Sequence, residues 1–237
     1  MYLNFLLICL LFVCINLYMH FSIKHSMRRV RKDLTIESPK LPDYCSRYPN
    51  LWSNKNMEKD FVDILTYLNN TFMSNNVDYT IAFGTALGYQ RHGDFIPWDD
   101  DMDVVIQKDN SSFIRSFIKK PFCTHNFWGG WKLYKCDNPN AGRYAWKYPF
   151  VDVFDNGNTN SHKKSAYDHI LFPSNPGIIH GLEIRIPKNI SKHLTLRYGE
   201  GYMQKCASPF WDHKNEKGIK NAKTMNCTKI VINCKYE

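Results

Sequence analysis

Residues 97–106 constrain the fold most, because a run of carboxylates leads directly into an apolar strand. Four acidic residues fall within five consecutive positions of this segment. Side chains at i and i+2 of a strand share a face, so Asp101 and Asp103 are predicted to point the same way, while Met102 and Val104 enter the core. Carboxylates this close repel each other, and the repulsion is relieved by water where they form an acidic surface loop, or more effectively by a divalent cation. Hard divalent cations prefer oxygen ligands, so the pattern predicts a metal site that holds Mg²⁺ or Mn²⁺ on Asp101 and Asp103.

A third carboxylate stands in the apolar run FVDVF at 150–154. Burying an unpaired Asp is costly. Asp152 is therefore either a structural residue paired with backbone amides, Arg or Lys, or a further ligand of the same metal. We predict the second, because Asp101 and Asp103 offer a shared cation.

The segment before the acidic run favours phosphate binding. A predicted strand at 77–83 leads to Gly84 and Thr85 and then to a predicted helix, whose first backbone N–H groups are free to hold an anion. Arg91 can bind a phosphate oxygen. A basic residue at a helix C-terminus is equally expected from the helix dipole, so both interpretations stay open for Arg91.

Hydrophobic periodicity predicts the remaining elements. We expect helices at 57–75, 85–91, 111–120 and 188–198, and strands at 77–83, 102–107, 131–136, 145–154 and 182–186. A turn-rich stretch at 155–160 predicts a loop. This order predicts an α+β fold, a mixed sheet flanked by helices.

The N-terminal 23 residues read as a membrane anchor. Residues 2–23 hold no charged side chain and would span about 33 Å as a helix, enough to cross a bilayer. The alternative is a cleaved signal peptide, but no basic segment precedes the run and no small-residue cleavage site follows it. The predicted organisation is an anchor at 1–23, a basic stem at 24–56, a catalytic domain at 57–211 and a polar C-terminal tail at 212–237.

Charge and modification motifs point to opposite sides of the membrane. Five basic residues directly after the anchor favour a cytosolic domain. An even set of six cysteines outside the anchor and four glycosylation sequons favour an oxidising lumen; the sequons begin at Asn69, Asn110, Asn189 and Asn226. Beyond residue 32 the chain carries 26 basic against 22 acidic residues. This small excess does not indicate nucleic-acid binding.

The longer motif GTALGYQRHGDFIPWDDDMD at 84–103 resembles the signature of the LicD family. That family includes bacterial phosphocholine transferases and the animal proteins fukutin and fukutin-related protein. Shorter matches follow at 148–154, 182–187 and 194–199, so the resemblance covers about residues 77–203.

The resemblance implies a nucleotidyltransferase fold and transfer of a phospho-alcohol from CDP-ribitol or CDP-choline to a glycan or glycoprotein, with release of CMP. By the same resemblance, Asp101 and Asp103 hold the metal against the diphosphate, and Asp152 completes the metal site or acts as the base. Gly84, Thr85 and Arg91 contact phosphate, and Asp99 assists. The animal members are single-pass type II Golgi proteins, which implies a Golgi or ER membrane protein with a lumenal catalytic domain.

Two other functional classes remain as alternatives. One is a non-catalytic family member that binds a glycan or assists a glycosylation enzyme, and the other is a nucleotidyltransferase acting on RNA or on a small molecule. The retained acidic set disfavours the first, and the anchor and small net charge disfavour the second. The chain lacks the large extra N-terminal region of the fukutin-type proteins, so the sequence does not specify the acceptor.

Overall fold

The computed structural model describes residues 54–107, 111–156, 164–207, 210–220 and 224–226. The predicted anchor and nearly all of the predicted stem lie outside these ranges. Within them, no helix combines the length and the apolar character needed to cross a bilayer.

Helix α1 (Lys55–Ser74) covers one face of the central sheet. The Asn54 side chain caps its start by accepting hydrogen bonds from the backbone N–H groups of Asn56 and Met57, at 3.1 and 3.3 Å. Its buried residues recur at helical spacing, which explains why the sequence predicts it well; they are Phe61, Ile64, Leu65, Leu68 and Phe72.

The central sheet has five strands in the order β1-β2-β5-β4-β3. These strands are β1 (Tyr79–Ile81), β2 (Met102–Ile106), β3 (Phe122–Phe127), β4 (Gly130–Lys135) and β5 (Phe150–Asp155). The β2–β5 pair is parallel and the other three pairs are antiparallel. The protein is therefore a mixed α+β fold, as predicted.

The helices and the smaller sheets surround this sheet. Helices α2 (Phe83–His92), α3 (Ser111–Arg115), α4 (Lys164–Leu171) and α5 (Ile190–Tyr198) join the strands. Three two-stranded sheets pair β6 (Asn175–Ile179) with β7 (Leu182–Ile186), β8 (Lys205–Ala207) with β11 (Thr224–Asn226), and β9 (Trp211–Asp212) with β10 (Lys217–Gly218).

Three predicted elements are shorter than expected. The strand predicted at 77–83 covers only Tyr79–Ile81, because Phe83 already begins α2. The strand predicted at 145–154 begins only at Phe150, because Pro149 before it has no N–H to donate to a neighbouring strand. The helix predicted at 111–120 ends at Arg115 and continues as turns that bond three residues back, for example from the Phe117 N–H to the Ile114 carbonyl at 3.0 Å. A disulfide joins Cys123 to Cys136 across the β3–β4 hairpin.

Candidate active site

The register of β2, β5, β4 and β3 places four polar side chains in one row across the sheet. Asp103 pairs with Asp152, Asp152 with Lys132, and Lys132 with His125. Partners in register share a face. We call these four residues the polar row; it lies on the face opposite α1.

All three predicted metal ligands converge at this row. Asp101, directly before β2, joins Asp103 and Asp152, and one carboxylate oxygen from each lies within 4.8 Å of the others. The parallel β2–β5 pairing brings Asp152 beside Asp103 although 49 positions separate them in the chain. The structure thus brings together the three carboxylates that the sequence singled out.

The start of α2 is tied to the same place. The Asp103 backbone N–H donates to Thr85 Oγ1 at 2.8 Å, which fixes the first turn of α2 against β2. The cap residue Ala82 supplies no side-chain acceptor for this helix. The Phe83 N–H donates to Nε2 of the fully buried His193 at 3.3 Å. The oxygen of Thr85 therefore holds the start of α2 against β2, and its hydroxyl group can still donate a hydrogen bond to a ligand.

Gly84 permits the close approach of Asp99. A Cβ atom at Gly84 would lie 2.6 Å from Asp99 Oδ2, closer than real side chains tolerate. A carboxylate at a helix N-terminus interacts favourably with the helix dipole. Gly84 and Asp99, which were each predicted to bind substrate, thus lie against each other beside the three carboxylates.

Burial and mutual repulsion raise the pKa values of the acidic residues. Burial raises the pKa of Asp103 well above its usual range, and the charges of Asp101 and Asp152 raise it further. Burial likewise raises the pKa of Asp99, with added repulsion from Asp101 and Asp100. Such a cluster becomes fully ionised only when cations balance it.

Lys132 supplies one of those cations. Its Nζ donates to both oxygens of Asp152, at 2.8 and 3.0 Å, and only 5% of the residue is exposed. The ammonium lies 3.6 Å from the centroid of the Phe150 ring. Burial raises the pKa of Asp152 to about 6, against the opposing charge of Lys132. Sequence reasoning missed Lys132; its apolar neighbours Trp131 and Leu133 were a signal, since a lysine in such a strand needs a buried partner.

The hairpin formed by β9, β10 and the turn between them, residues 211–218, contributes a second cation. His213 contacts Asp100 Oδ1 through Nδ1 at 2.7 Å and Asp101 Oδ2 through Nε2 at 3.3 Å, and its backbone N–H donates to Asp100 Oδ2 at 2.9 Å. Burial lowers the pKa of His213, but the charges of Asp101 and Asp100 outweigh burial and raise it to about 10. Asp100, Asp101 and His213 form a second group whose ligand atoms lie within 4.8 Å of one another.

Glu216 from the same hairpin lies close to Lys132. Its two oxygens accept hydrogen bonds from the indole N–H groups of Trp146 and Trp211, both at 2.8 Å, and one oxygen lies 3.8 Å from Lys132 Nζ. The sequence assigned residues from 212 onward to a tail, and the structure places His213 and Glu216 of that segment at the acidic residues. Nothing in the local pattern marks either residue, because their partners are distant in the chain.

Arg91 contacts backbone carbonyls rather than the three carboxylates. Its Nη1 donates to the Tyr202 carbonyl at 3.4 Å and to the Lys205 carbonyl at 3.1 Å, and its Nε donates to His92 Nε2 at 3.0 Å. Burial raises the pKa of Asp99, and the positive charge of Arg91 opposes this rise without cancelling it. Arg91 therefore ties α2 to the first residue of β8 and to the turn before it, and its predicted phosphate contact stays a prediction.

The residues present fit a hard divalent cation. Asp101, Asp103 and Asp152 offer only carboxylate oxygens, the donor type that Mg²⁺ and Mn²⁺ prefer. Burial raises the pKa values of Asp101 and Asp103, and neighbouring carboxylates raise them further, against the opposing charge of His213. The acidic cluster can therefore bind a metal, with Lys132 and His213 balancing the carboxylates around it.

Comparison with known proteins agrees with the sequence motifs. Residues 76–189 match the family model described as LicD/FKTN/FKRP, nucleotidyltransferase domain. A stretch of 48 residues is 40% identical to the lipopolysaccharide cholinephosphotransferase LicD of Haemophilus influenzae. The stretch is 20% of this chain and 18% of that enzyme. The predicted resemblance to the LicD family is confirmed over the matched region.

Among solved structures, the fold is similar to an antigenic nucleotidyltransferase-like protein from Paracoccidioides brasiliensis. The sequence identity is 18% and the TM-score is 0.38, over 55% of this chain and 62% of that protein. The chain thus spans less than two thirds of both proteins.

Proposed function

We propose that this chain is a membrane-anchored transferase that moves a phospho-alcohol, phosphoribitol or phosphocholine, from a CDP-linked donor to a hydroxyl group of a glycan or glycoprotein. The observation that carries the proposal is the convergence of Asp101, Asp103 and Asp152 within 4.8 Å beside the start of α2. The family match over residues 76–189 supports the same reaction class.

Each part of the site has a task in this reaction. Asp101, Asp103 and Asp152 would hold Mg²⁺ or Mn²⁺, which supplies Lewis-acid polarisation of the donor diphosphate when bound. The N-terminal turn of α2, with Gly84 and Thr85, would bind a phosphate through its N–H groups. The acceptor hydroxyl oxygen would form a bond to the phosphorus that carries the alcohol and release its proton to water, while the bond from that phosphorus to the CMP oxygen breaks and CMP leaves with the bonding electrons.

The Lys132 contacts favour metal binding over proton transfer for Asp152. Both carboxylate oxygens of Asp152 accept from Lys132, at 2.8 and 3.0 Å, so the ammonium fixes their orientation. An oriented, charge-paired carboxylate suits a ligand better than a base that must gain a proton during the reaction.

The proposed location is the lumen of the Golgi or ER, with a type II orientation. The disulfide between Cys123 and Cys136 supports an oxidising compartment. The sequons support the same side of the membrane.

CMP release by the full-length chain, purified in detergent, tests the reaction. We expect release from CDP-ribitol or CDP-choline that requires Mg²⁺, stops with EDTA and increases with an acceptor glycan. Asp101→Asn should lower the rate by more than about 100-fold, beyond the usual effect of residues behind the metal ligands. The melting temperature of the Asp101→Asn variant should stay the same or rise, because the substitution removes one of the mutually repelling charges.

Asp137→Asn is the matched control, since it makes the same chemical change at an exposed residue outside the cluster. It should leave release unchanged. Undiminished release by Asp101→Asn would overturn the metal-site assignment. No release from either donor, with no binding of CDP in calorimetry, would instead support the non-catalytic alternative.

A further inference from the structure

A groove of about 610 Å³ lies beside α1 and shares no residue with the acidic site. Its volume falls within the range of about 300–1,000 Å³ that is typical of small-molecule sites. It lies between the C-terminal half of α1 and the β6–β7 hairpin, and it is lined by Asn69, Met73, Tyr89, Pro176, Gly177, Ile178, Glu183, Ile184 and Arg185.

The groove contains the asparagine of a glycosylation sequon, Asn69-Asn70-Thr71. The Tyr79 hydroxyl donates to Asn69 Oδ1 at 2.8 Å. Oδ1 of Asn69 is therefore held by the fully buried Tyr79, and Nδ2, the atom that carries an N-linked sugar, is the other branch of an amide whose residue lines the groove.

The lining suits a carbohydrate. Met73 and Ile178 are 48% and 54% exposed, so they present apolar surface that a covering group would remove from water. Tyr89 and Pro176 add a ring face and a further apolar surface. Glu183 and Arg185 supply a hydrogen-bond acceptor and donors for sugar hydroxyl groups. Apolar surface with a few polar groups is the usual composition of a ligand site.

We infer that Asn69 carries an N-linked glycan and that the first sugars of this glycan occupy the groove. The inference rests on the lumenal location proposed above. The glycan would cover the exposed methionine and isoleucine and would leave the acidic site open, because no residue of that site lines the groove.

Asn189 provides an internal control. It is an exposed sequon residue whose Oδ1 accepts from the Lys192 N–H at 3.0 Å at the start of α5, and it does not line the groove. A glycan there would extend into solvent. Glycans at Asn69 and Asn189 would thus share a chain and a compartment and differ in what surrounds the sugar.

The test is the occupancy and the enzymatic release of each glycan. The full-length chain is expressed in animal cells, the occupancy of both sites is measured by mass spectrometry, and the glycans are released by an amidase from the native and the denatured protein. Both sites should be occupied. Native release at Asn69 should be at least about tenfold slower than at Asn189, which corresponds to about 1.4 kcal/mol. Denaturation should remove the difference, and Ile178→Ser should reduce it.

Protease protection of a C-terminal tag in sealed microsomes separates the two ways of failing. A tag accessible from the cytosol would overturn the proposed location, and the glycan with it. A protected tag with Asn69 unmodified would overturn the present inference alone. Occupancy of Asn69 with equal native release at the two sites would show that the sugar does not lie in the groove.

Discussion

The two faces of the five-stranded sheet are built from alternate residues of the same strands and have opposite chemistry. On the face covered by α1, Met102, Val104 and Leu133 are fully buried in the main apolar core. On the other face, the same strands carry the polar row of Asp103, Asp152, Lys132 and His125. Farther along that second face, a small apolar cluster around Val105 and Leu171 continues the packing.

The difference between the two faces shows how a small domain stabilises a buried charged site. The α1 face gains stability by removing apolar area from water. The polar face must balance charge instead, because each buried carboxylate needs a cation or a hydrogen bond. Lys132 and Leu133 are neighbours in β4 and serve these two purposes on opposite sides.

The largest expected effect comes from replacing each of these two neighbours in turn. Leu133→Ala should cost about 2–5 kcal/mol of unfolding free energy through lost packing and a cavity. Lys132→Met should cost a similar amount, about 3–5 kcal/mol, because it leaves Asp152 buried without its cation. Only Lys132→Met should also lower CMP release per folded molecule. Urea unfolding and rates normalised to the folded fraction measure the two effects.

A double variant separates charge from shape at this position. Adding Asp152→Asn to Lys132→Met removes the uncompensated carboxylate, so stability should partly return while activity stays low. If Lys132→Met lowered only stability, in proportion to Leu133→Ala, then the two faces would not differ in function.

The second effect concerns the hairpin at 211–218, which contacts the acidic residues through His213. His213→Gln removes the cation that touches Asp100 and Asp101 and should lower CMP release by about 10–100-fold, the range for partners behind metal ligands. His169→Gln changes an exposed histidine in α4 and is the control. If His213→Gln released CMP at a rate within about twofold of wild type, the contact would have no role in function. A tenfold change in rate would correspond to about 1.4 kcal/mol.

The smallest expected effect concerns the contact between α1, which covers the apolar face, and the loop that leads to the acidic run. His180 contacts Asp94, in the loop that leads to the acidic run, at 3.1 Å through Nδ1, and it contacts Glu58 of α1 at 3.0 Å through Nε2. The hydrogen bond to Asp94 raises the pKa of His180 against the effect of burial, and Glu58 adds to the rise. A raised folded-state pKa means that this stabilisation is complete below about pH 6.5, the ordinary value, and is lost as the pH rises through the folded-state pKa.

The measurement is the melting temperature of wild type and His180→Gln at pH 6 and pH 8.5. Because the pair is partly exposed, it should contribute about 1 kcal/mol or less. Wild type should therefore exceed the variant by up to about 4 °C at pH 6, and the gap should narrow at pH 8.5. A gap that is constant with pH would mean that the contact stabilises through packing and not through charge.

Sequence reasoning succeeded where the evidence was local and periodic. The strand at 182–186 matches β7 residue for residue, and the first predicted helix differs from α1 by two residues at its start and one at its end. It missed β3, because Phe122–Phe127 alternates weakly and is defined by its pairing with β4. It also missed α4 and β6, which follow the turn-rich stretch at 155–160.

The chain by itself determined that Asp101 and Asp103 share a face, because side-chain direction in a strand repeats every two residues. It also determined that Asp152 needs a partner, because burying a lone carboxylate is costly. Only the tertiary structure decided which partners these are. The β2–β5 pairing brings Asp152 to Asp103, and Lys132, His213 and Glu216 reach the cluster from other strands and from the C-terminal hairpin. Such contacts join residues up to 113 positions apart, and no local periodicity encodes them.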